Sequence, residues 1–122
     1  MSDSLFNGIH YIRIPVVNLS ESVPWYTECL QFNLMFNRGD LAVLGLGQGP
    51  LFVLVEADEH SRGHFFKNGE PEFSVGLTTS NINRLYDYLV DQNVKVESIQ
   101  EEEGHQFFHF YDPDGNKLQV HN

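Results

Sequence analysis

Cysteine is almost missing from this chain. Cys29 stands alone among 122 residues, so no internal disulfide can form, and a reducing, cytoplasmic setting is expected. Positive charge is scarce as well. Seven Lys and Arg stand against 17 Asp and Glu, a formal net charge of −10. The seven are scattered at Arg13, Arg38, Arg62, Lys67, Arg84, Lys95 and Lys117. Phosphate binding needs such residues clustered, so no nucleic-acid partner is expected. Long apolar runs are also lacking. Leu41–Leu46 and Leu51–Val55 fall far short of the roughly 20 residues of a membrane helix, and no membrane partner is expected. The opening Met-Ser-Asp-Ser-Leu-Phe has neither a basic region nor an apolar core, so no signal peptide is read there.

What is present describes a globular chain: 41% apolar and 20% charged residues. The length fits one domain. Such a chain buries about two-thirds of its unfolded surface and needs no disulfide or metal staple. The excess of acid reads first as a device for solubility.

The pattern along the chain predicts a strand over Ile9–Val16, where Ile12 and Ile14 alternate with Tyr11 and Arg13. Asn18, Ser20 or Ser22 can cap a helix running to about Leu30, with Val23, Tyr26 and Leu30 as its core stripe. Pro24 lacks a backbone donor and is expected in the first turn, which favours a start near Ser22. Three apolar stretches follow, Phe32–Asn37, Leu41–Leu46 and Leu51–Val55. Residues 57–71 show no period and read as a connector. Glu72–Thr79 alternates again, with Phe73, Val75 and Leu77 on one face. Ser80 or Asn81 caps a second helix through Ile82, Leu85 and Leu89, with Tyr86 beside them and Asn93 as its stop. Val94–Val96 is a short strand. Gln106–Tyr111 and Lys117–His121 flank Asp112-Pro113-Asp114-Gly115-Asn116, a strong turn signal.

The order is strand, helix, three strands, stated twice. One half spans about 8–56, the connector 57–71, and the other half about 72–121, within a single domain over 1–122. Two copies of one supersecondary unit would each cover the other's sheet.

Certain segments carry a resemblance: Tyr11-Ile-Arg-Ile-Pro-Val-Val-Asn-Leu19, Trp25-Tyr26, Leu30-Gln-Phe32 and, most specifically, Phe110-Tyr-Asp-Pro-Asp-Gly-Asn-Lys-Leu-Gln119. They resemble the vicinal oxygen chelate superfamily, which includes glyoxalase I, bleomycin- and fosfomycin-resistance proteins and extradiol dioxygenases. The resemblance covers about Gly8 to His121. It implies an α+β fold of two βαβββ modules, a curved mixed sheet with a concave cleft, and a homodimer. Metal-dependent members place ligands at positions that fall here on Tyr11, Ser74, Gln119 and a site near Val53. None is a His, Asp or Glu, and such side chains make poor ligands for a divalent ion. No metal or other cofactor is therefore expected at these positions.

Strand parity gives an independent view of the faces. Ile12/Ile14, Phe73/Val75/Leu77, Phe108/Phe110 and Leu118/Val120 should pack under the helices. The opposite faces collect Tyr11, Arg13, Ser74, Phe107, His109, Lys117, Gln119 and His121 as the candidate ligand-binding set. His10 shares parity with Ile12 and is expected on the helix side. His109 is the candidate catalytic residue, a proton donor or acceptor, or else a hydrogen-bonded wall of the cleft. Arg13 and Lys117 could clamp an anion or pair with Glu72. His60 and His64 read as surface loop, Glu101–Glu103 as a solvated run, and Cys29 as an inert thiol.

The expected function is binding of a small molecule in the cleft, anionic if Arg13 and Lys117 face it. The alternative is a metal-dependent lyase or dioxygenase with a displaced ligand set drawn from His10, His109, His121, Glu72 and Gln119.

Overall fold

A computed structural model describes residues 5–122. Eleven strands and two helices follow one another in a doubled order. The first half holds β1 (Tyr11–Val16), α1 (Leu19–Pro24, continuing in a π turn over Trp25–Cys29), β2 (Asn33–Asn37), β3 (Leu41–Gly45) and β4 (Leu51–Glu56). The hairpin β5 (His64–Lys67) and β6 (Glu70–Phe73) comes next. The second half holds β7 (Gly76–Thr78), α2 (Ile82–Asp91), β8 (Lys95–Val96), β9 (Gln100–Glu102), β10 (His105–Tyr111) and β11 (Lys117–His121).

The two halves share one topology. The first sheet runs β1-β4-β3-β2 and the second β7-β11-β10-β8, with β9 added beside β10. In each, the strand before the helix lies parallel to the last strand of its half. A strand–helix crossover permits that parallel return, whereas tight turns permit only antiparallel neighbours. The expected pair of βαβββ units is present, each on its own sheet, with the β5–β6 hairpin as a third. One core serves both halves. It draws Ile14, Leu44, Phe52 and Leu54 from the first sheet, and Phe108, Phe110, Leu118 and Val120 from the second. Leu19, Val23, Tyr26, Ile82 and Leu89 join it from the helices.

Four local expectations are corrected. Helix α1 starts at Leu19, not near Ser22, and Pro24 ends it rather than opening it. Asn18 Oδ1 accepts the Ser20 N–H at 3.1 Å, and Glu56 Oε2 accepts the Leu19 N–H at 3.0 Å. These bonds close the first turn early. Pro24 then has no N–H for the carbonyl four residues back, and the helix widens into its π turn directly after it.

The 57–71 connector contains most of the β5–β6 hairpin. Its two-residue turn is Asn68-Gly69, both at positive φ (53° and 81°). Gly tolerates that backbone freely and Asn better than most residues, and the pair matches the right-handed strand twist. The strand expected over Glu72–Thr79 is broken at Ser74-Val75 between β6 and β7. Val75 and Leu77 still pack on the core, but Phe73 lies 5.5 Å, ring centre to ring centre, from His109. The break undoes the alternation that would have put Phe73 on the core side. Finally, Glu101 and Glu102 belong to β9, paired with Gln106 and His105 of β10. They are exposed as expected, but they are a strand.

Candidate functional site

The candidate site lies on β10 and β11. Their antiparallel register sets Phe107 opposite His121, His109 opposite Gln119, and Tyr111 opposite Lys117. The intervening Phe108, Phe110, Leu118 and Val120 are buried in the core. The strand period of two therefore turns all six remaining residues to the other face. Five candidate residues meet here: Phe107, His109, Lys117, Gln119 and His121.

The β5–β6 hairpin reaches over the start of β11. His64 Nδ1 accepts the Lys117 N–H at 2.9 Å, and the Lys117 ammonium donates to the Pro71 carbonyl at 3.2 Å. His64, expected as surface loop, is thus a half-buried clamp on the second sheet. From beyond β8, Glu97 contributes both carboxylate oxygens. Oε2 accepts the Tyr111 hydroxyl at 2.7 Å, and Oε1 lies 3.5 Å from His109 Nδ1. Lys95 Nζ sits 4.6 Å from the centre of the Tyr111 ring, a cation–π contact. The rings of Phe73 and Phe107 flank His109 at 5.5 and 5.7 Å.

These surroundings set the charge states. Burial, and then the Lys117 ammonium, hold His109 below the usual histidine range, while Glu97 and Glu72 pull the other way. The imidazole is therefore neutral at pH 7. Glu97 on the Nδ1 side favours a proton there, leaving Nε2 with a free lone pair. Burial and the bond to Glu97 push the Tyr111 hydroxyl up to about 12, so it stays a donor. The face offers a proton acceptor, an amide at Gln119 and a cation at Lys117 among aromatic rings.

The other three candidates lie apart. Tyr11 is 52% exposed, with its ring edge-on to His10 at 5.3 Å. Arg13 is exposed on β1 in the first sheet. Ser74 falls in the break between β6 and β7. Among the described residues, no hydrogen bond or ion pair joins Arg13 to Lys117. His10 is exposed ahead of β1, not under a helix, because the strand starts only at Tyr11. Sequence reasoning missed Glu97, Phe73 and the role of His64. Glu97 reaches His109 only because β8 pairs with β10, setting Val96 against Phe110. The hairpin that carries Phe73 and His64 did have a signal, Asn68-Gly69.

At the four positions that the resemblance implies for a metal ion, the side chains present do not fit one. Val53 is buried and apolar, Tyr11 and Ser74 are exposed, and Gln119 is a neutral amide. Among the described residues, no three His, Cys, Asp or Glu side chains gather to hold an ion.

The model of the Glyoxalase/Bleomycin resistance protein/Dioxygenase superfamily matches residues 8–120, nearly the whole chain. The chain belongs to that superfamily. Solved structures of this glyoxalase-like fold superpose along its length. TnmS3, an antibiotic binding protein from Streptomyces sp. CB03234, does so with a TM-score of 0.78 at 19% identity, covering 97% of each chain. A superfamily member from Sphaerobacter thermophilus DSM 20745 gives 0.77 at 20% identity, covering 97% of this chain and 98% of its own. Lactoylglutathione lyase from Agrobacterium tumefaciens gives 0.72 at 14%, with 97% and 95% covered. At such identities the superpositions establish the fold alone. Among curated proteins there is no match.

Proposed function

We propose that this glyoxalase-like protein binds a small aromatic anion on the β10–β11 face, without the superfamily's usual metal. The observation that supports it most is the grouping around His109. A neutral imidazole stands between the rings of Phe73 and Phe107, with the Gln119 amide opposite it and the Lys117 cation on the same strand face. Few polar groups amid aromatic walls is the usual makeup of a small-molecule site. Binding of an antibiotic by TnmS3, on the same fold, is in keeping with this reading. Lys117 takes the ligand's carboxylate, and His109 Nε2 accepts a hydrogen bond from a hydroxyl on its ring. The single Cys29 suits a reducing cytoplasm.

The reading includes a homodimer. The face of the first sheet opposite its core carries Leu41, Val43 and Val53 beside Arg13, and it exposes Met35 (62%) and Phe36 (56%). A β-bulge between Leu34 and Phe36 breaks the register there, turning Met35 and Phe36 to that one face. Exposed apolar groups of this size mark association surfaces, and a second copy laid on this sheet would turn it toward the polar face of its partner.

Thermal melting in EDTA with benzoate, salicylate or 1-naphthoate tests the proposal. A ligand at 100 times its Kd stabilises the native state by about 2.7 kcal/mol, so one of these should raise the melting temperature by several degrees. Lys117→Gln should weaken binding about tenfold or more, and His109→Ala should weaken salicylate, which carries a hydroxyl, more than benzoate. If none of the three acids binds and Ni, Zn, Mn or Fe raises the melting temperature instead, the metal-dependent lyase or dioxygenase reading replaces this one. Light scattering should give twice the 14.0 kDa chain mass.

A further inference from the structure

The same two strands that carry the polar face turn Phe110 and Val120 the other way, toward a cavity between the helices. Its volume is about 530 Å³, within the range of small-molecule sites. Leu30 and Phe32, just past α1, and Leu77 and Leu85 form an apolar floor. The rim is polar, made by Thr78, Ser80 and Arg84. Charge is what singles this cavity out. In a chain with 17 acidic and seven basic residues, no Asp or Glu lines it and one Arg does. The Arg84 guanidinium has no ion pair or hydrogen bond among the described residues, so its five donors are available.

A second cavity of about 720 Å³ shares Leu46, Leu77, Thr78, Thr79 and Ser80 with the first and runs on to Ile12 and Phe52. Leu46 is 41% exposed, at the junction between the two. The space is thus long, apolar along its floor, and cationic at one end.

We propose that this cavity is a second binding site, for a carboxylate with an extended alkyl tail. The head pairs with Arg84, where a planar guanidinium can meet a carboxylate in two parallel hydrogen bonds. The tail lies over Leu77 and Leu85 and passes Leu46 into the second cavity. The site uses no residue of the β10–β11 face, so it stands whether or not that face binds a ligand.

Cys29 lines the cavity and is the only cysteine, which makes it a reporter of position. Burial, and then the Glu28 charge, push its thiol up, which slows its alkylation and leaves room to read a further change. The experiment measures decanoate binding by calorimetry, and the rate of Cys29 alkylation by N-ethylmaleimide with and without decanoate, on the full chain. Decanoate, below its micelle concentration, should bind one per chain and slow alkylation several-fold. Arg84→Gln should weaken binding about tenfold or more, as loss of a charge-assisted hydrogen bond does. Decanol should bind the parent no better than decanoate binds Arg84→Gln. Leu46→Trp, at an exposed position that tolerates bulk, should block the tail and weaken decanoate further. His109→Ala should leave decanoate binding as it is. Unchanged Cys29 alkylation at saturating decanoate, equal affinity in Arg84→Gln, or loss of binding in His109→Ala would each overturn the proposal. The last result would move the ligand to the sheet face.

Discussion

The Tyr26 hydroxyl donates to Asp112 Oδ2 at 2.7 Å, joining α1 to the β10–β11 turn across 86 residues of chain. Both side chains are buried. Asp112 Oδ1 accepts the Asp114 N–H at 3.0 Å and the Asn116 N–H at 2.9 Å, and Oδ2 also accepts from the Asn116 amide at 2.7 Å. Four donors converge on one carboxylate, which is how a buried charge becomes tolerable. The Asp-Pro-Asp-Gly-Asn segment, the most specific part of the family resemblance, is thus a clip between the two halves of the fold.

Tyr26→Phe should lower stability by about 1–3 kcal/mol, the usual loss when a buried acceptor is left short of a donor. Burial pushes Asp112 up, while its hydrogen bonds hold it down. Losing one donor raises it further. A raised carboxylate pKa favours folding at low pH and penalises it as pH rises through the folded value. The damage should therefore be larger at pH 7 than at pH 4. Urea unfolding at the two pH values gives the comparison.

Asn116 is fully buried and has three partners. Its amide donates to the Pro15 carbonyl at 2.8 Å and to Asp112, and its Oδ1 accepts the Gly63 N–H at 2.7 Å. Asn116→Ala should cost about 3 kcal/mol, since the Pro15 carbonyl and the Gly63 N–H both lose their partner. Asn116→Asp should be worse at neutral pH despite its matching shape, because it sets a carboxylate oxygen against Asp112. If Asn116→Asp proved as stable as the parent, the clip would not be electrostatic.

Gly63 is required by space. A Cβ there would lie 2.6 Å from Ile14 Cδ1, 3.1 Å from Ile14 Cγ2 and 3.3 Å from Pro15 Cδ. Ile14 is in the core and has little room to move. Gly63→Ala should lower stability by about 1–3 kcal/mol through overpacking. The double variant with Ile14→Val, which removes the Cδ1 methyl, should recover part of that loss.

Two histidines tie stability to pH. His64 Nδ1 accepts a backbone N–H and can do so only unprotonated. Burial, then Arg62 and Lys117, hold it below the usual range. His109 is held down likewise, by burial and Lys117. Both folded values lie below the unfolded one, roughly 6.5, so the unfolded chain binds protons first. Stability is then full above about pH 6.5 and falls as pH drops through the folded values. The urea midpoint should be lower at pH 5.5 than at 7.5. His64→Asn, whose side-chain oxygen can still accept the Lys117 N–H, should narrow that gap.

Much of this could be read from the chain itself. Alternation marks the two faces of β1, β10 and β11, and a 3.6-residue stripe marks both helices. Turn residues divide them, so the repeated βαβββ order and the core follow from local spacing. Those features depend on neighbours a few residues apart, which any single sequence displays. The rest rests on contacts between distant segments. Glu97 meets His109 only through β8–β10 pairing, and the break at Ser74-Val75 turns Phe73 onto His109. His64 becomes a clamp only because its hairpin folds over β11, and the clip at Asp112 forms only because α1 packs against the last turn. Alternation cannot cross an irregular break, and no local pattern records which strand a hairpin will cover. The composition of the β10–β11 face was legible from sequence. The partners that set its charge were decided by tertiary packing, because burial and hydrogen bonding across the fold determine which groups stay neutral.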